Sequence, residues 1–257
     1  MYFDAVSEEQ SIALVYGGHS PIAISISRQL SVEGPVIHVS RSVDQDLIDH
    51  FSDLKNVSLV NWESFSVDDI EAKLNFLGEI KVRSLVFSHR YRSDKVDSKD
   101  LDQFVVEVYF PYRLVMNLME NGKFADKSSI LFVTSPAARY VVSDQPLMYH
   151  LTKASVNQLV RHLSLNLSPS VKVNAISPGS YVLKKRNLDF FSESTRRGKR
   201  IREFLPSGDI PSVEGIAHLV KFLLSEENTV INGQILDLSG GYLNIEVSQL
   251  FNSLIDK

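Results

Sequence analysis

SIALVYGGHSPIA, residues 11–23, is the stretch that decides the fold. Ser11 to Tyr16 is a short apolar run with no turn residue in it, the pattern of a strand buried on both faces. Gly17-Gly18-His19-Ser20 interrupts the run, and beyond Pro21 the residues Ile22, Ile26 and Leu30 recur at helical spacing. Pro21 suits a first helical turn, where its missing N–H forfeits no intrahelical bond. Strand, tight glycine turn and helix form the start of a βαβ unit.

The same rhythm runs on. VIHVS (36–40) and VSLVN (57–61) read as the second and third strands, with a helix over 43–54 between them that turns Leu47, Ile48 and Phe51 inward. A helix over 67–77, with Ser66 as N-cap, leads to a fourth strand at 82–88. A long helix from about 100 to 120 stops at Asn121-Gly122. A strand at 129–134, a helix ending near Leu167 and a strand at 171–176 follow. After an irregular charged segment, about 180–211, come a helix from Ser212 to Ser225 and a last strand at 233–238. No linker or repeat divides residues 1–257, so one α/β domain is expected. Its core is a Rossmann-type doubly wound sheet of about seven parallel strands with helices on both faces.

Bulk composition excludes several classes. A hydrophobic fraction of 44%, a net charge of −4 and a pI near 6.0 leave no basic field for nucleic acid or anionic lipid. With no cysteine, disulfides, thiolate metal sites and a Cys nucleophile are out. The seven histidines show no metal-ligand spacing, and no nucleophile elbow is present. His19 and His89 fall near the carboxyl edge of the sheet; His150 and His162 read as packing residues. The acidic start and the lack of a long apolar run predict a cytoplasmic protein without a membrane span.

In a doubly wound sheet ligands bind at the carboxyl ends of the strands. There the Gly17-Gly18 turn and the N-terminus of its helix offer N–H groups to a pyrophosphate, although Pro21 and Ala23 depart from the dinucleotide fingerprint and a plain strand-to-helix turn competes. Arg41, just past the second strand, is placed to pair with a 2′-phosphate, which favours NADP(H) over NAD(H); a surface arginine is the alternative. Tyr149 and Lys153 share one helix face, one turn apart. A cation beside a phenol favours the phenolate, so the pair is suited to acid–base work.

Taken together, Ser135, Tyr149-x-x-x-Lys153, Asn174-Ala-Ile-Ser-Pro178-Gly179 and Asn232-Gly-Gln-Ile-Leu-Asp-Leu-Ser-Gly-Gly241 resemble the short-chain dehydrogenase/reductase family in order and separation. The resemblance covers nearly the whole chain. It implies that Tyr149 exchanges a proton with a carbonyl or alcohol oxygen, that Ser135 hydrogen-bonds that oxygen, and that Lys153 holds the nicotinamide ribose. It further implies cofactor contacts from Gly17, His19, Ser20, Ile22, Asn61, Ser88, Pro178, Gly179 and Val182, a small-molecule substrate, and a homodimer or homotetramer.

This sequence departs from the family pattern at several points. Ser135 stands one residue farther from Tyr149 than usual, with Thr134 and Ser143 as weaker substitutes. Glu107 replaces an Asn that completes a proton relay, and its charge would partly offset that of Lys153. Ser88-His89-Arg90-Tyr91 replaces Asn-Asn-Ala-Gly, which crowds the adenosine or supplies phosphate contacts through Arg90 or Arg92. Asn61 replaces an Asp, and Leu183 a Thr that bonds the carboxamide. Two readings follow: an NADP(H)-dependent oxidoreductase of a carbonyl and an alcohol, or a divergent member without dehydrogenase activity that serves as a binding or partner subunit. The basic residues at 184–186 and 196–202 read first as a solvated loop and second as contacts for an anionic substrate. Leu243, Val247, Leu250, Phe251 and Leu254 fall at helical spacing in an extension, 243–257.

Overall fold

The computed structural model describes residues 11–91, 100–143, 145–179, 189–246 and 248. Its strands are β1 (Ile12–Tyr16), β2 (Val36–Ser40), β3 (Val57–Asn61), β4 (Val82–Phe87), β5 (Phe124–Val133), β6 (Val171–Pro178) and β7 (Ile235–Leu238). Among the described residues they form one parallel sheet in the order β3-β2-β1-β4-β5-β6-β7. The chain winds outward from β1 to one edge, returns, and winds outward from β4 to the other. The order therefore reverses between β1 and β4, where a crevice opens at the carboxyl ends of the strands.

The sheet is covered on both faces, and alternation along β1 shows how. Ile12, Leu14 and Tyr16 pack with α3 (Ile70–Leu74), α5 (Phe110–Glu120) and α6 (Leu147–Asn166), whereas Ala13 and Val15 pack with α1 (Pro21–Leu30) and α8 (Val213–Leu224). Asn174 and Asn232 have structural work here. Asn174 accepts from Gln234 N at 3.0 Å and donates to Ile231 O at 2.9 Å, and Asn232 accepts from Val173 N at 2.9 Å. These side chains tie the sixth and seventh strands together.

Some helices are shorter than the periodicity predicts. The segment over 43–54 yields only α2 (Gln45–Asp49), capped by Asp44, because Asp44 supplies the acceptor for Leu47 N. The segment over 67–77 becomes α3 followed by a 3₁₀ turn, Asn75–Leu77. Ser66 does not cap α3: its Oγ accepts from Asp68 N, closing a local turn instead. Thr195 caps α7 (Arg196–Phe204), accepting from Gly198 N at 3.0 Å, and Ser212 does cap α8, accepting from Gly215 N at 3.0 Å.

The long helix is interrupted. It runs as α4 (Asp100–Phe104), a π turn (Val105–Tyr109) and α5. Pro111 explains the break, since a proline ring clashes with the carbonyl four residues back, here that of Glu107. In the wider turn Phe110 N bonds Val105 O, and Val106 O would need the N–H that Pro111 lacks. His89 Nε2 donates to that carbonyl at 2.8 Å.

A buried histidine fixes the glycine turn. His38 Nε2 bonds Gly18 O at 2.8 Å, and because a carbonyl only accepts, Nε2 carries the proton and Nδ1 accepts from Ser27 Oγ at 2.8 Å. Burial lowers the His38 pKa from 6.5 to about 4, against the opposing pull of the Gly18 carbonyl. Below pH 6.5 the unfolded chain thus takes up a proton that the fold refuses until about pH 4. Stability from this group is complete above pH 6.5 and falls by about 3 kcal/mol on going down to pH 4. His38→Gln is expected to flatten the fall measured by urea unfolding across that window; an unchanged slope contradicts the assignment.

Candidate active site

The crevice is a cleft of about 940 Å³, near the top of the roughly 300–1,000 Å³ range of small-molecule sites. At its β1–β2 end lie Gly17, Gly18, His19, Ser20, Ile22 and Arg41. Gly17 admits no side chain: a Cβ would come within 2.0 Å of Ala23 Cβ. Gly18 takes φ +50°, a left-handed conformation that suits glycine. Ser20 caps α1 and shares a 3.3 Å hydrogen bond with Ser88 Oγ. His19 donates to Asp44 at 2.9 Å, and this bond, with that from Leu47 N, holds the Asp44 carboxyl below its ordinary range. Arg41 is exposed.

Ser135, Tyr149, Lys153, Pro178 and Gly179 line the β5–β6 end. Tyr149 and Lys153 are buried, with 9% and 4% of their surface accessible, yet both reach the cleft. Ser135 leaves β5 in an extended conformation, and its Oγ accepts from Ala137 N at 3.2 Å. Its hydroxyl proton stays available for a ligand. Thr134 is no substitute, being buried and bonded to Lys153 O, and Ser143 is exposed outside the lining. Gly179 is crowded: a Cβ would lie 3.0 Å from Ser239 Cα.

Glu107 meets Lys153 inside the fold. Nζ lies 2.7 Å from Oε2, with 6% and 2% of the two side chains exposed. The contact is an ion pair poorly aligned for a hydrogen bond, since Oε2 accepts none among the described residues. Oε1 accepts from Tyr91 N at 2.9 Å and Gln103 Nε2 at 3.2 Å. The ammonium carries three donors, of which one makes a long 3.4 Å bond to Val133 O, so protons remain to face the cleft.

Three features escape sequence reasoning. Arg90 Cζ stacks 4.2 Å from the centre of the Tyr149 ring, and its Nη2 donates to Gln145 Oε1 at 2.7 Å. Phe65 enters the lining and stacks on His89 with centroids 4.8 Å apart. Glu63 lines the cleft, whereas Asn61 is exposed and outside the lining. The place of Arg90 just past β4 was the one available signal; nothing local in the sequence marks Phe65. Burial pushes the His89 imidazole below its ordinary value, against the Val106 carbonyl and Glu107. His150 locks the loop before α6, accepting from Val142 N at 2.8 Å and donating to Pro146 O at 3.0 Å. Val182, Leu183, Arg92, the basic run at 184–186 and most of the C-terminal extension lie outside the described residues.

A family model described as enoyl-(acyl carrier protein) reductase matches residues 92–243, more than half of the chain. The chain belongs to the short-chain dehydrogenase/reductase family of oxidoreductases. An uncharacterized oxidoreductase of Bacillus subtilis is 27% identical over 241 residues, covering 90% of this chain and 98% of its own. Two solved structures share the fold. A short-chain dehydrogenase/reductase from Brucella melitensis has a TM-score of 0.73 at 19% identity, covering 90% of this chain and 96% of its own. A variant actinorhodin polyketide ketoreductase, solved with NADPH, has a TM-score of 0.73 at 23% identity, covering 94% of this chain and 100% of its own.

The buried pair has a direct stability test. Glu107→Gln keeps an acceptor for Tyr91 N but strands the Lys153 ammonium, and is expected to cost about 3 kcal/mol in urea unfolding at neutral pH. Adding Lys153→Met should recover more than half of that loss. Equal losses in the single and double variants contradict the pairing.

Proposed function

We propose that this protein is an NADP(H)-dependent oxidoreductase that interconverts a carbonyl and an alcohol, with Tyr149 as its acid/base group. The observation that carries the reading is the convergence of Ser135, Tyr149 and Lys153 on one cleft that also contains a glycine turn and a helix N-terminus. The cleft fits a dinucleotide: the crowded backbones at Gly17 and Gly179 allow close approach, and the first turn of α1 presents N–H groups to phosphate. The bound cofactor supplies or accepts the hydride.

The residues then divide the remaining work. In reduction the Tyr149 phenol donates its proton to the carbonyl oxygen, and in oxidation it removes one from the alcohol. Ser135 donates to the same oxygen, its orientation fixed by the bond from Ala137 N. Lys153 holds the ribose hydroxyls, with Glu107 as its positioning partner. Gly17, His19, Ser20, Ile22 and Ser88 border the phosphates, Arg41 pairs with the 2′-phosphate, and Pro178 and Gly179 border the nicotinamide. On this reading the enzyme works in the cytoplasm as a homodimer or homotetramer. Exposed Leu101, Val105 and Tyr109, spaced along one helix, support a subunit contact, and no described helix is long and apolar enough to cross a membrane.

One observation favours the second reading, a binding or partner subunit without dehydrogenase activity: Arg90 covers the Tyr149 ring while Glu107 occupies Lys153. Fluorescence titration and turnover separate the two. NADPH should bind more tightly than NADH, and Arg41→Ala should weaken NADPH by roughly 10- to 100-fold with little effect on NADH. Tyr149→Phe should lower kcat by about 10²- to 10⁴-fold while NADPH still binds. A wild-type protein that binds neither nucleotide rejects the oxidoreductase reading.

A further inference from the structure

We propose that Arg90 is the anion receptor of the cleft and takes the carboxylate of a short oxo acid whose carbonyl meets Tyr149. The proposal rests on the reading of Tyr149 as the acid/base group. A guanidinium carries five N–H donors in a planar fork, and Arg90 spends one of them on Gln145 Oε1 at 2.7 Å. Arg90 lines the open cleft, and the donors left in its fork match a carboxylate bidentately. Gln145 is itself held in place, because His150 clamps the backbone on both sides of it, at Val142 and Pro146.

The charge arrangement leads to the same ligand. Glu107 balances Lys153 at 2.7 Å, whereas among the described residues no carboxylate lies within ion-pair distance of Arg90. Among the described residues Arg90 is therefore the uncompensated cation beside the reacting phenol, and it draws an anion to that place. Spacing sets the size of the ligand. The guanidinium lies 4.2 Å from the centre of the Tyr149 ring, so the two groups address neighbouring parts of one molecule. Hydrogen bonds of about 2.7–2.9 Å from each leave room for at most one carbon between carboxylate and carbonyl, as in a 2-oxo or 3-oxo acid. A dinucleotide phosphate is the other anion within reach of the cleft. The Gly17-Gly18 turn and Arg41 already serve it at the ends of β1 and β2, while Arg90 stacks on the reacting group.

Binding measured without turnover tests this. Protein saturated with NADP⁺, which cannot reduce a carbonyl, is titrated calorimetrically with 2-oxobutyrate, acetoacetate and their ethyl esters. At least one acid should bind about tenfold or more tightly than its ester, and Arg90→Ala should abolish that preference. Arg90→Lys should restore only part of it, since a point charge lacks the fork. The proposal is overturned if neither acid outbinds its ester, if acid and ester weaken in parallel in Arg90→Ala, or if that variant instead loses NADP⁺ affinity about tenfold, which would assign Arg90 to a cofactor phosphate. If NADP⁺ does not bind the wild-type protein, the oxidoreductase reading fails, and the acid-to-ester ratio on the free protein still decides Arg90.

Discussion

An ammonium and a carboxylate removed from water must be paired, because leaving either alone costs several kcal/mol. Lys153 and Glu107 meet that requirement at 2.7 Å, and the rest of the cleft depends on their meeting. Glu107 also accepts from Tyr91 N and Gln103 Nε2, so one carboxylate joins the loop after β4, the interrupted helix and α6. A neutral side chain at 107 could not balance Lys153. The consequence is that the lysine charge is largely spent within the fold, and among the described residues the open positive charge beside Tyr149 belongs to Arg90.

Backbone constraints put Glu107 there. Pro111 cannot continue a regular α-helix, the chain widens into a π turn at Val105–Tyr109, and the carbonyl of Val106 loses its partner. His89 supplies one, which gives a reason for an imidazole where the family pattern has an asparagine. Phe65, Tyr16, Phe87 and Phe110 then pack around that imidazole. The departures after β4 and in the long helix are thus linked: the proline, the histidine and the glutamate accommodate one another.

The fold was legible because its signals are local. Apolar runs broken by glycine and proline mark each strand, and strands alternating with helices predict a sheet covered on both faces, which the two core clusters show. Tyr149 and Lys153 were legible for the same reason, being four residues apart on one helix. Helix lengths at 45–49 and 70–74 were not, since beyond Asp49 and Leu74 the chain tightens into i→i+3 turns that end each α-helix early while the apolar spacing runs on. The stack of Arg90 on Tyr149 joins positions far apart in sequence, and only the β4 and α6 placements bring them together. The π turn was readable in principle from Pro111, whose clash with the carbonyl of Glu107 follows from residue geometry alone.

The most direct test is a crystal structure grown with saturating NADPH. The account predicts the nucleotide phosphates at the Gly17-Gly18 turn and Lys153 within hydrogen-bond distance of the nicotinamide ribose, with Glu107 still beside Nζ and the Tyr149 hydroxyl open to the space above the nicotinamide. A cleft that stays empty, or a nucleotide that lies elsewhere while Arg90 keeps the nicotinamide away from Tyr149, would contradict it.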